Sequence, residues 1–426
     1  MARTRSSGNW SLPTDPMEDG CCALHSALFC MGEGRYTWRM PSSSELLVRA
    51  VSDVTPRKLA EAKLAGGKPL RLYWGIDPTG ARIHIGHAVP LRKMQEFVDA
   101  GHHVIFLIGS FTAMIGDPSG RDKLREPLTR EQVMENFKTY KEQASKVLDF
   151  SKVEVRYNHE WLEKLTFEDI IKLAGHFTVQ QMLERDMFEK RIKEGNPIGL
   201  HEFFYPLMVG YDSVVLDVDV ELGGNDQLFN MLAGRTLQQV FGKRDKFVLT
   251  TKLLEGTDGR KMSKTYDNCI YLDDEPNDMY GKVMSVKDEL LLPYFECATS
   301  VPMAEIKDIE RQLKKGENPK NVKMRLAREI VTLYHGAQAA THAEEQFQTV
   351  FKDHGVPDEM PEAKAGKGTL ILDLMVSSGL VTSKSEGRRL IEQGGVKLND
   401  TPVTAIDAVG EKGVLKVGKR KFLRLV

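Results

Sequence analysis

The chain is 426 residues long, with 41% hydrophobic and 28% charged residues and a formal net charge of −1. This length allows two or three domains with a large core. The near-neutral charge excludes a globally basic nucleic-acid-binding protein, so that any RNA contact must come from locally basic surface. No apolar run reaches the roughly 18 residues of a membrane span. The five cysteines lack zinc-like spacing, and we expect reduced thiols, no metal site, no membrane partner and a cytoplasmic location.

Residues 1–41 carry Ser, Gly, Pro and Cys without periodicity, and we expect a disordered extension there. A start codon assigned too early is an alternative, because Met40 precedes the first helical pattern, which we place at 43–65. A transit peptide is a further alternative, less favoured because this segment contains acidic residues.

The segment RLYWGIDPTGARIHIGH predicts a strand at 71–76, a turn, and a helix at 85–98. His84 and His87 are three residues apart and face the same side of the first helical turn, and Gly86 between them leaves room above the backbone. A helix start and imidazoles suit the charge of a phosphate. The pattern indicates a nucleotide site, although two surface histidines with no function would give the same string.

A second motif, KMSKT at 261–265, follows the polar loop EGTDGR. Lys261 and Lys264 are spaced to move over a triphosphate as point charges. A lysine-rich loop alone is more often simply solvated surface. Both motifs together, in this order within an α/β pattern, are specific.

Strands and helices alternate from residue 70 to about 253, which predicts an α/β, Rossmann-like parallel sheet with right-handed crossovers. Further strands are predicted at 103–108, 153–157 and 214–222. Thr129 with Gln132 forms a capping box for one of the helices, which are predicted at 131–148, 167–183 and 227–240.

The rest of the chain is first helical and then small and basic. Helices are predicted at 279–286, 289–296, 303–313 and 320–351, and 357–368 reads as a linker. From 367 to 426 there are eleven Lys and Arg against six Asp and Glu, an excess of five. Ser383 with Glu386 caps a helix that ends at Gln393, and short strands joined by an Asn399-Asp400 turn follow.

HIGH and KMSKT resemble the signatures of class I aminoacyl-tRNA synthetases, and YWGIDPTG, FTAMIGDPSGR, YPLMVGYDSV and ELGGNDQ make the chain similar to bacterial-type tyrosyl-tRNA synthetases. The resemblance runs from about residue 70 to the C-terminus. With the extension at 1–41, it implies a Rossmann-like catalytic domain at 42–278, a helical anticodon-side domain at 279–354, a linker at 355–366 and a small α+β S4-like RNA-binding domain at 367–426.

The activity implied by the resemblance is tyrosine–tRNA ligation, in which ATP activates L-tyrosine to tyrosyl-adenylate and tyrosine then passes to the 3′ end of tRNA(Tyr). ATP is a substrate accompanied by Mg²⁺, and we expect no tightly bound cofactor. The implied partners are tRNA(Tyr), L-tyrosine, ATP and a second copy of the chain in a homodimer.

The resemblance also assigns roles to residues. Catalytic contacts with the phosphates are implied for His84, His87, Lys261, Lys264 and Thr265. Contacts with ATP are implied for Asp77, Thr79, Gly86, Arg121, Gly224 and Asp226. Tyrosine contacts are implied for Tyr73, Asp117, Tyr205, Asp212 and Gln227. RNA contacts are implied for Arg388 and Arg389.

Within this set, Tyr73 and Asp212 correspond to the family's clamp on the substrate phenol. A buried donor and acceptor placed for one hydroxyl reject phenylalanine, an effect for which this enzyme family is the reference case. Two positions depart from the family pattern. Val209 stands where relatives carry glutamine, which removes a polar contact near the substrate amino group, and Thr265 replaces serine.

Three alternatives remain open. A small-molecule nucleotidyltransferase also uses an HxGH helix start, but the helical region and basic terminal module disfavour it. A synthetase for tryptophan is disfavoured by Tyr73 with Asp212, because an indole offers only a donor. A catalytically silent RNA-binding relative is disfavoured by the intact HIGH and KMSKT residues and favoured by Val209.

Overall fold

The computed structural model describes residues 43–78, 82–119, 128–352, 360–366, 368–418 and 421–426. The predicted extension at 1–41, Thr79 and Arg121 lie outside the described residues, as does part of the predicted linker at 355–366.

A six-stranded sheet forms the centre of the larger part of the chain. Its strands are β1 Val51–Thr55, β2 Arg71–Ile76, β3 His103–Ile108, β4 Val153–Tyr157, β5 Val220–Gly224 and β6 Phe247–Thr251. The order in the sheet is β1-β6-β5-β2-β3-β4. All neighbouring pairs are parallel except β1 with β6, which is antiparallel. The predicted Rossmann-like parallel sheet is confirmed.

Helices connect these strands, as a parallel sheet requires. They are α1 Ser43–Leu46, α2 Arg57–Ala65, α3 Ile85–Asp99, α4 Thr112–Ile115, α5 Arg130–Ala144, α6 His159–Leu162, α7 Phe167–Ala174, α8 Val179–Leu183, α9 Asp186–Lys193, α10 Tyr205–Leu216 and α11 Leu228–Val240. Short 3-10 helices occur at Phe150–Lys152, Leu200–Phe203, Asn225–Gln227, Lys264–Tyr266 and Asp288–Leu290. The capping box of Thr129 with Gln132 is present at the start of α5.

The strand order reverses between β2 and β5. The chain continues from β2 to β3 and β4 on one side, and it later adds β5 and β6 on the other side. Crossovers on opposite sides leave a crevice at the carboxyl ends of β2 and β5, which is where open α/β sheets bind ligands.

The predicted helix at 43–65 is wrong in its middle part. The chain instead forms α1, strand β1 and α2, and β1 lies at the sheet edge beside β6. The β-branched residues of VSDVT favour an extended chain, and Pro56 disfavours a helical residue before it. Apolar spacing alone therefore suggested one continuous helix where edge pairing gives three elements.

The predicted strand at 214–222 begins too early. Helix α10 continues to Leu216, and Asp217 ends it with a left-handed backbone, φ 46°. The apolar run VVLDVDVEL fits a buried helix end as well as a strand. Packing against α11 favours the helix, because α10 lies so close to it that a Cβ on Gly210 would be 2.8 Å from the Leu237 side chain.

Two predicted long helices are each divided in two. The helix at 167–183 separates into α7 and α8, because Thr178 caps a new helix start with Gln181. The helix at 320–351 separates at Gly336, whose φ of 88° ends the first part.

The helical region that follows the sheet contains α12 Pro276–Met284, α13 Leu291–Ala298, α14 Met303–Lys314, α15 Pro319–His335 and α16 Ala337–Lys352. Its apolar residues belong to the same continuous hydrophobic core as those of β2, β3, β5 and β6. The sheet and these helices therefore stabilise each other.

The C-terminal segment has a second sheet and its own core. It contains β7 Glu362–Ala363, α17 Ile371–Ser377, α18 Lys384–Glu392, β8 Val396–Leu398, β9 Thr401–Pro402, β10 Gly413–Val417 and β11 Lys421–Leu425. The sheet order is β7-β11-β10-β8-β9. The predicted turn between β8 and β9 is present, with positive φ at Asn399 and Asp400. Ser383 caps α18, and the carboxylate of Glu386 accepts from the Thr382 amide at 2.7 Å.

Over the described ranges, none of the helices has both the length and the apolar character that crossing a membrane requires.

Candidate active site

A cavity opens at the carboxyl ends of β2 and β5. The residues that line it include Tyr73, Asp77, Tyr205, Asp212, Glu221 and Gln227. Five of these six were predicted from the sequence as site residues. The cavity therefore lies at the point where the strand order reverses, and it combines aromatic walls with carboxylates.

Asp212 is held in the cavity wall by two N–H donors. Its Oδ1 accepts from Trp161 Nε1 at 2.7 Å, and its Oδ2 accepts from Asn158 Nδ2 at 3.2 Å. Burial raises the pKa of Asp212 well above its usual range, although both hydrogen bonds oppose this shift. Each oxygen accepts one N–H and keeps a further hydrogen-bonding position toward a ligand.

Tyr73 lies beside Asp212 in a buried polar cluster. Its hydroxyl donates to Glu221 Oε1 and lies 2.9 Å from Ser213 Oγ. Glu221 in turn forms an ion pair with Lys246, which is fully buried. Burial, followed by the charges of Glu221 and Asp212, raises the pKa of Tyr73 well above its usual value. The hydroxyl therefore stays protonated.

A second group of polar side chains surrounds Asp77 at the end of β2. Tyr205 donates its hydroxyl to Asp77 Oδ2 at 2.9 Å, and Thr112 donates to Oδ1 at 2.8 Å. Space here is limiting, because a Cβ on Gly109 would lie 1.9 Å from Asp77 Oδ1. The carboxylate position thus depends on a glycine in the neighbouring strand's loop.

Asp117 contacts the cavity indirectly, because it is hydrogen-bonded to Gln227, which lines the cavity. Gln227 Nε2 donates to Asp117 Oδ2 at 2.7 Å, and its Oε1 accepts from Asn230 at 2.8 Å. Val209 also lines this cavity and contributes an apolar surface.

The two signature histidines meet at the start of α3. The rings of His84 and His87 stack with centroids 3.7 Å apart and planes 20° apart. Burial lowers the pKa of His84 to about 3 and that of His87 to about 4, and the charge of Lys261 contributes to both shifts. Both imidazoles are therefore neutral near pH 7, and Nδ1 of His84 is buried without a hydrogen-bond partner in the described part of the chain.

The chain that follows the KMSKT segment is joined by backbone hydrogen bonds to the residues around His84. Ile85 N donates to Ile270 O, and Leu272 N donates to Ile83 O, both at 2.9 Å. A side chain on Gly86 would crowd this contact, because a Cβ there would lie 3.2 Å from the Met262 sulfur and 3.0 Å from Nδ1 of His84. The fold thus brings the KMSKT segment against the histidines.

Asn268 connects the two arms of the KMSKT loop. Its Oδ1 accepts from the Ser263 amide at 2.9 Å, and its Nδ2 donates to Asp258 Oδ1 at 2.7 Å and to Lys261 O at 3.2 Å. The side chain is 2% exposed, and a Cβ on Gly256 would lie 2.3 Å from it. One buried amide therefore holds together a loop in which Arg260 and Lys261 are exposed.

The remaining predicted site residues are less enclosed. Lys261 and Thr265 are exposed at the loop surface, and Asp226 is exposed in the turn after β5. Asp226 lies close to Gly224, since a Cβ on that glycine would be 2.5 Å from Asp226 Oδ1. Of Lys264, the backbone alone is described.

Sequence reasoning missed Glu221, Lys246, Asn158 and Trp161. Asn158 follows directly after β4, and polar residues at strand ends are a usable signal for a site. Glu221 and Lys246 gave no such signal, because Glu221 follows Asp217 and Asp219 in an alternating run and Lys246 ends the charged string KRDK, and both patterns are equally typical of exposed surface. Their pairing depends on the contact between β5 and the start of β6.

Comparisons with known proteins place the chain in a family. Residues 65–352 match the family of class I tRNA synthetases for tryptophan and tyrosine (W and Y), and 371–411 match the S4 domain. The chain is 49% identical to the tyrosine–tRNA ligase of Thermotoga maritima over 89% of this chain and 96% of that protein. It is 47% identical to the tyrosine–tRNA ligase of Carboxydothermus hydrogenoformans, over 90% and 97% respectively.

The fold also matches solved structures. A C-terminally truncated mitochondrial tyrosyl-tRNA synthetase from Coccidioides posadasii superposes with a TM-score of 0.58 and 26% sequence identity, covering 71% of this chain and 91% of that one. The parallel sheet, the two joined signature segments and these relatives agree with the resemblance drawn from the sequence. The chain belongs to the bacterial-type tyrosyl-tRNA synthetases, within class I of the aminoacyl-tRNA synthetases.

Proposed function

We propose that this chain is a tyrosine–tRNA ligase that activates L-tyrosine with ATP and transfers it to tRNA(Tyr). The observation that carries the proposal is the position of the cavity. It lies at the carboxyl ends of the neighbouring strands β2 and β5, and Tyr73 and Asp212 line it. Helix α3, which bears the HIGH histidines, follows β2 at the same end of the sheet. The similarity to tyrosine–tRNA ligases, which extends over almost the full length of those proteins, supports the same reaction.

In the first step an oxygen of the tyrosine carboxylate attacks the α-phosphorus of ATP, and pyrophosphate leaves. No protein nucleophile is needed, so the enzyme acts by positioning and by stabilising charge on the phosphates. His84 and His87 are neutral and donate N–H hydrogen bonds to these phosphates, whereas Lys261 and Lys264 supply positive charge. Thr265 contributes a hydroxyl from the same loop.

ATP binds as its Mg²⁺ complex, because Mg²⁺ prefers phosphate oxygens and retains its own waters. The residues proposed to contact the nucleotide are Asp77, Thr79, Gly86, Arg121, Gly224 and Asp226. Gly86 and Gly224 allow close approach of the ligand to the backbone.

Tyrosine binds in the cavity with its phenol at Tyr73 and Asp212 and its amino group near the second polar group. The contacts around Asp77 and Gln227 hold carboxylate and amide oxygens there, which suits an ammonium group. Tyr205 and Asp117 act in this group as the hydrogen-bond partners of those two residues. Val209 has no polar side-chain atom and makes no hydrogen bond to the substrate in this proposal.

The S4 domain provides the RNA contact. Arg388 and Arg389 lie exposed on α18, and guanidinium groups suit phosphate oxygens of RNA. We keep the predicted domain limits, 42–278, 279–354, 355–366 and 367–426, as part of this proposal, with catalysis in the first and tRNA contacts in the others.

A homodimer is part of the proposal, and exposed apolar residues between 167 and 200 support it. Phe167 and Ile171 lie one helical turn apart on α7 with 77% and 57% exposed, and Leu200 is 72% exposed. Large apolar side chains exposed to this degree are typical of a protein interface, and a two-fold dimer pairs one such surface with itself. The free, buried thiols of Cys269 and Cys297 support a reducing, cytoplasmic location.

The test is amino-acid-dependent exchange of pyrophosphate into ATP, with tyrosine, phenylalanine and tryptophan offered separately. We expect exchange with tyrosine alone. Exchange with tryptophan would reassign the substrate, and a folded protein that gives no exchange with any of the three would favour the catalytically silent RNA-binding alternative.

A further inference from the structure

Helix α5 carries a side-chain amide on the face that packs against the sheet. The rings of Phe137 and Tyr140 lie 6.2 and 6.1 Å from the ring of Phe106 in β3. The buried residues of α5 are Val133, Phe137, Tyr140, Gln143 and Ala144. Gln143 is the one amide among these five, and it is 7% exposed. Burying an amide is unfavourable unless it is hydrogen-bonded, so the partners of Gln143 indicate its role.

Gln143 binds the main chain directly before the HIGH helix. Its Oε1 accepts from the Ile83 amide at 2.8 Å, and its Nε2 donates to the Thr139 carbonyl of its own helix at 3.2 Å. Ile83 is fully buried and precedes His84, the N-cap of α3. The carbonyl of Ile83 accepts from the Leu272 amide. One residue is thus hydrogen-bonded both to α5 and to the chain that follows the KMSKT loop.

Two neighbours of Gln143 contact the same region. Asn136 Nδ2 donates to the Pro78 carbonyl at 3.0 Å, and Lys146 Nζ donates to the Leu272 carbonyl at 2.8 Å. Asn136 lies seven residues before Gln143 and Lys146 three residues after it, which places all three on one side of a helix. This side of α5 therefore contacts the chain after β2, the residue before His84 and the segment after KMSKT.

We infer that Gln143, assisted by Asn136, is a positioning residue for adenylate formation, because it fixes the main chain that presents His84 and His87 to the phosphates of ATP. Without Gln143 the buried N–H of Ile83 loses its acceptor, which is unfavourable. A displacement of about 1 Å at a reacting centre can lower a rate about 100-fold. The inference rests on the proposed function, since it concerns the action of these histidines on ATP.

A role in stability alone leads to a different expectation. If Gln143 only stabilised the packing of α5, its loss would lower the free energy of unfolding, and the protein that remained folded would react at the parent rate. If Gln143 positions the histidines, its loss slows the chemical step, and the size of the effect depends on the histidine being present. Replacements of residues that act as one unit are not additive.

The experiment measures single-turnover formation of tyrosyl-adenylate by the full chain and by the variants Gln143→Met, His84→Gln and their combination. Methionine has nearly the size of glutamine but lacks the amide oxygen that accepts from Ile83. We expect Gln143→Met to slow the step about tenfold or more, with the Kd for tyrosine unchanged within about twofold. In the His84→Gln background the same replacement should slow the step by about threefold or less.

The matched control is Gln238→Met. Gln238 is a fully buried amide on α11 whose Nε2 donates to the main-chain carbonyls of Val218 and Arg244, both at 3.0 Å. These carbonyls lie just before β5 and β6, at the end of the sheet opposite the cavity. The replacement should leave the rate within about twofold of the parent, with and without His84→Gln.

A second variant covers the case in which Gln143→Met does not fold. Asn136→Leu removes the hydrogen bond to Pro78 at a half-buried position, where a side chain of similar size is tolerated. It should slow adenylate formation about threefold or more, and the loss should again be smaller in the His84→Gln background.

The inference is overturned if folded Gln143→Met, or Asn136→Leu in its place, reacts at the parent rate or shows the same loss with and without His84→Gln. A loss of tyrosine affinity equal to the loss in rate overturns it as well. Failure of the proposed function gives a different result, because the parent would show no tyrosine-dependent exchange of pyrophosphate into ATP. The imidazole NMR signals of His84 and His87 then decide, since Gln143→Met should shift them and Gln238→Met should not, and unshifted signals would overturn the inference.

Discussion

Replacing Asn268 with alanine should slow tyrosyl-adenylate formation without weakening tyrosine binding. Asn268 bonds to both arms of the KMSKT loop, and its partners include the backbone groups of Ser263 and Lys261. Counting only these two bonds, at about 1 kcal/mol each, the ordered loop loses about 2 kcal/mol relative to other loop conformations. This is about 30-fold in the population of the ordered loop.

The assay is single-turnover formation of tyrosyl-adenylate, with tyrosine affinity measured separately by equilibrium dialysis. We expect the rate in Asn268→Ala to fall about tenfold or more, with the Kd for tyrosine unchanged within about twofold. The control is Asn321→Ala, which removes an exposed amide bonded to Glu317 at 2.8 Å on α15. A loss of tyrosine affinity that equals the loss in rate, or an unchanged rate, would refute the reasoning.

Three further predictions concern other parts of the chain. Gly109→Ala places a Cβ 1.9 Å from the Asp77 carboxylate, so pyrophosphate exchange should fall at least about 100-fold, and activity near that of the parent would contradict the crowding. In His87→Gln, the stability measured by urea unfolding should decline less between pH 6.5 and 4 than in the parent. Burial holds the pKa of His87 at about 4 when folded, so protonation of the unfolded chain destabilises the parent as pH falls, and equal declines would count against this. Arg388→Ala/Arg389→Ala should reduce tRNA charging and its salt dependence but spare pyrophosphate exchange, and undiminished charging at low enzyme concentration would remove the RNA role.

The sequence predicted most of the sheet because the strands are short apolar runs bounded by turn residues. The errors occur where two structures share one pattern. The run at 214–222 alternates apolar residues with Asp217, Asp219 and Glu221, which is a strand pattern, but its first three residues are all apolar and belong to the end of α10. The close approach of Gly210 to α11, which no local rule contains, favours the helix there. Strand β1 is similar, because its partner β6 is nearly 200 residues away in sequence.

At the site, residues in short motifs were predicted and residues joined across strands were not. Tyr73, Asp77 and Asp212 belong to strings with recognisable spacing, and the structure brings all three to one cavity. Glu221 and Lys246 become recognisable as site residues only through the ion pair that they form across two strands. A glutamate in an alternating strand and a lysine at the end of the charged string KRDK carry no indication that they meet in a buried interior.

The backbone contact between Ile83–Ile85 and 270–272 has a mechanical consequence. These hydrogen bonds use main-chain atoms, so side-chain replacement along either segment leaves them in place. The base of the KMSKT loop is thereby tied to the helix that carries the histidines, and bending must be confined to residues before 269. The proposed movement of the lysines over a ligand therefore requires bending within the loop itself, while the distance between the loop base and the histidines stays fixed.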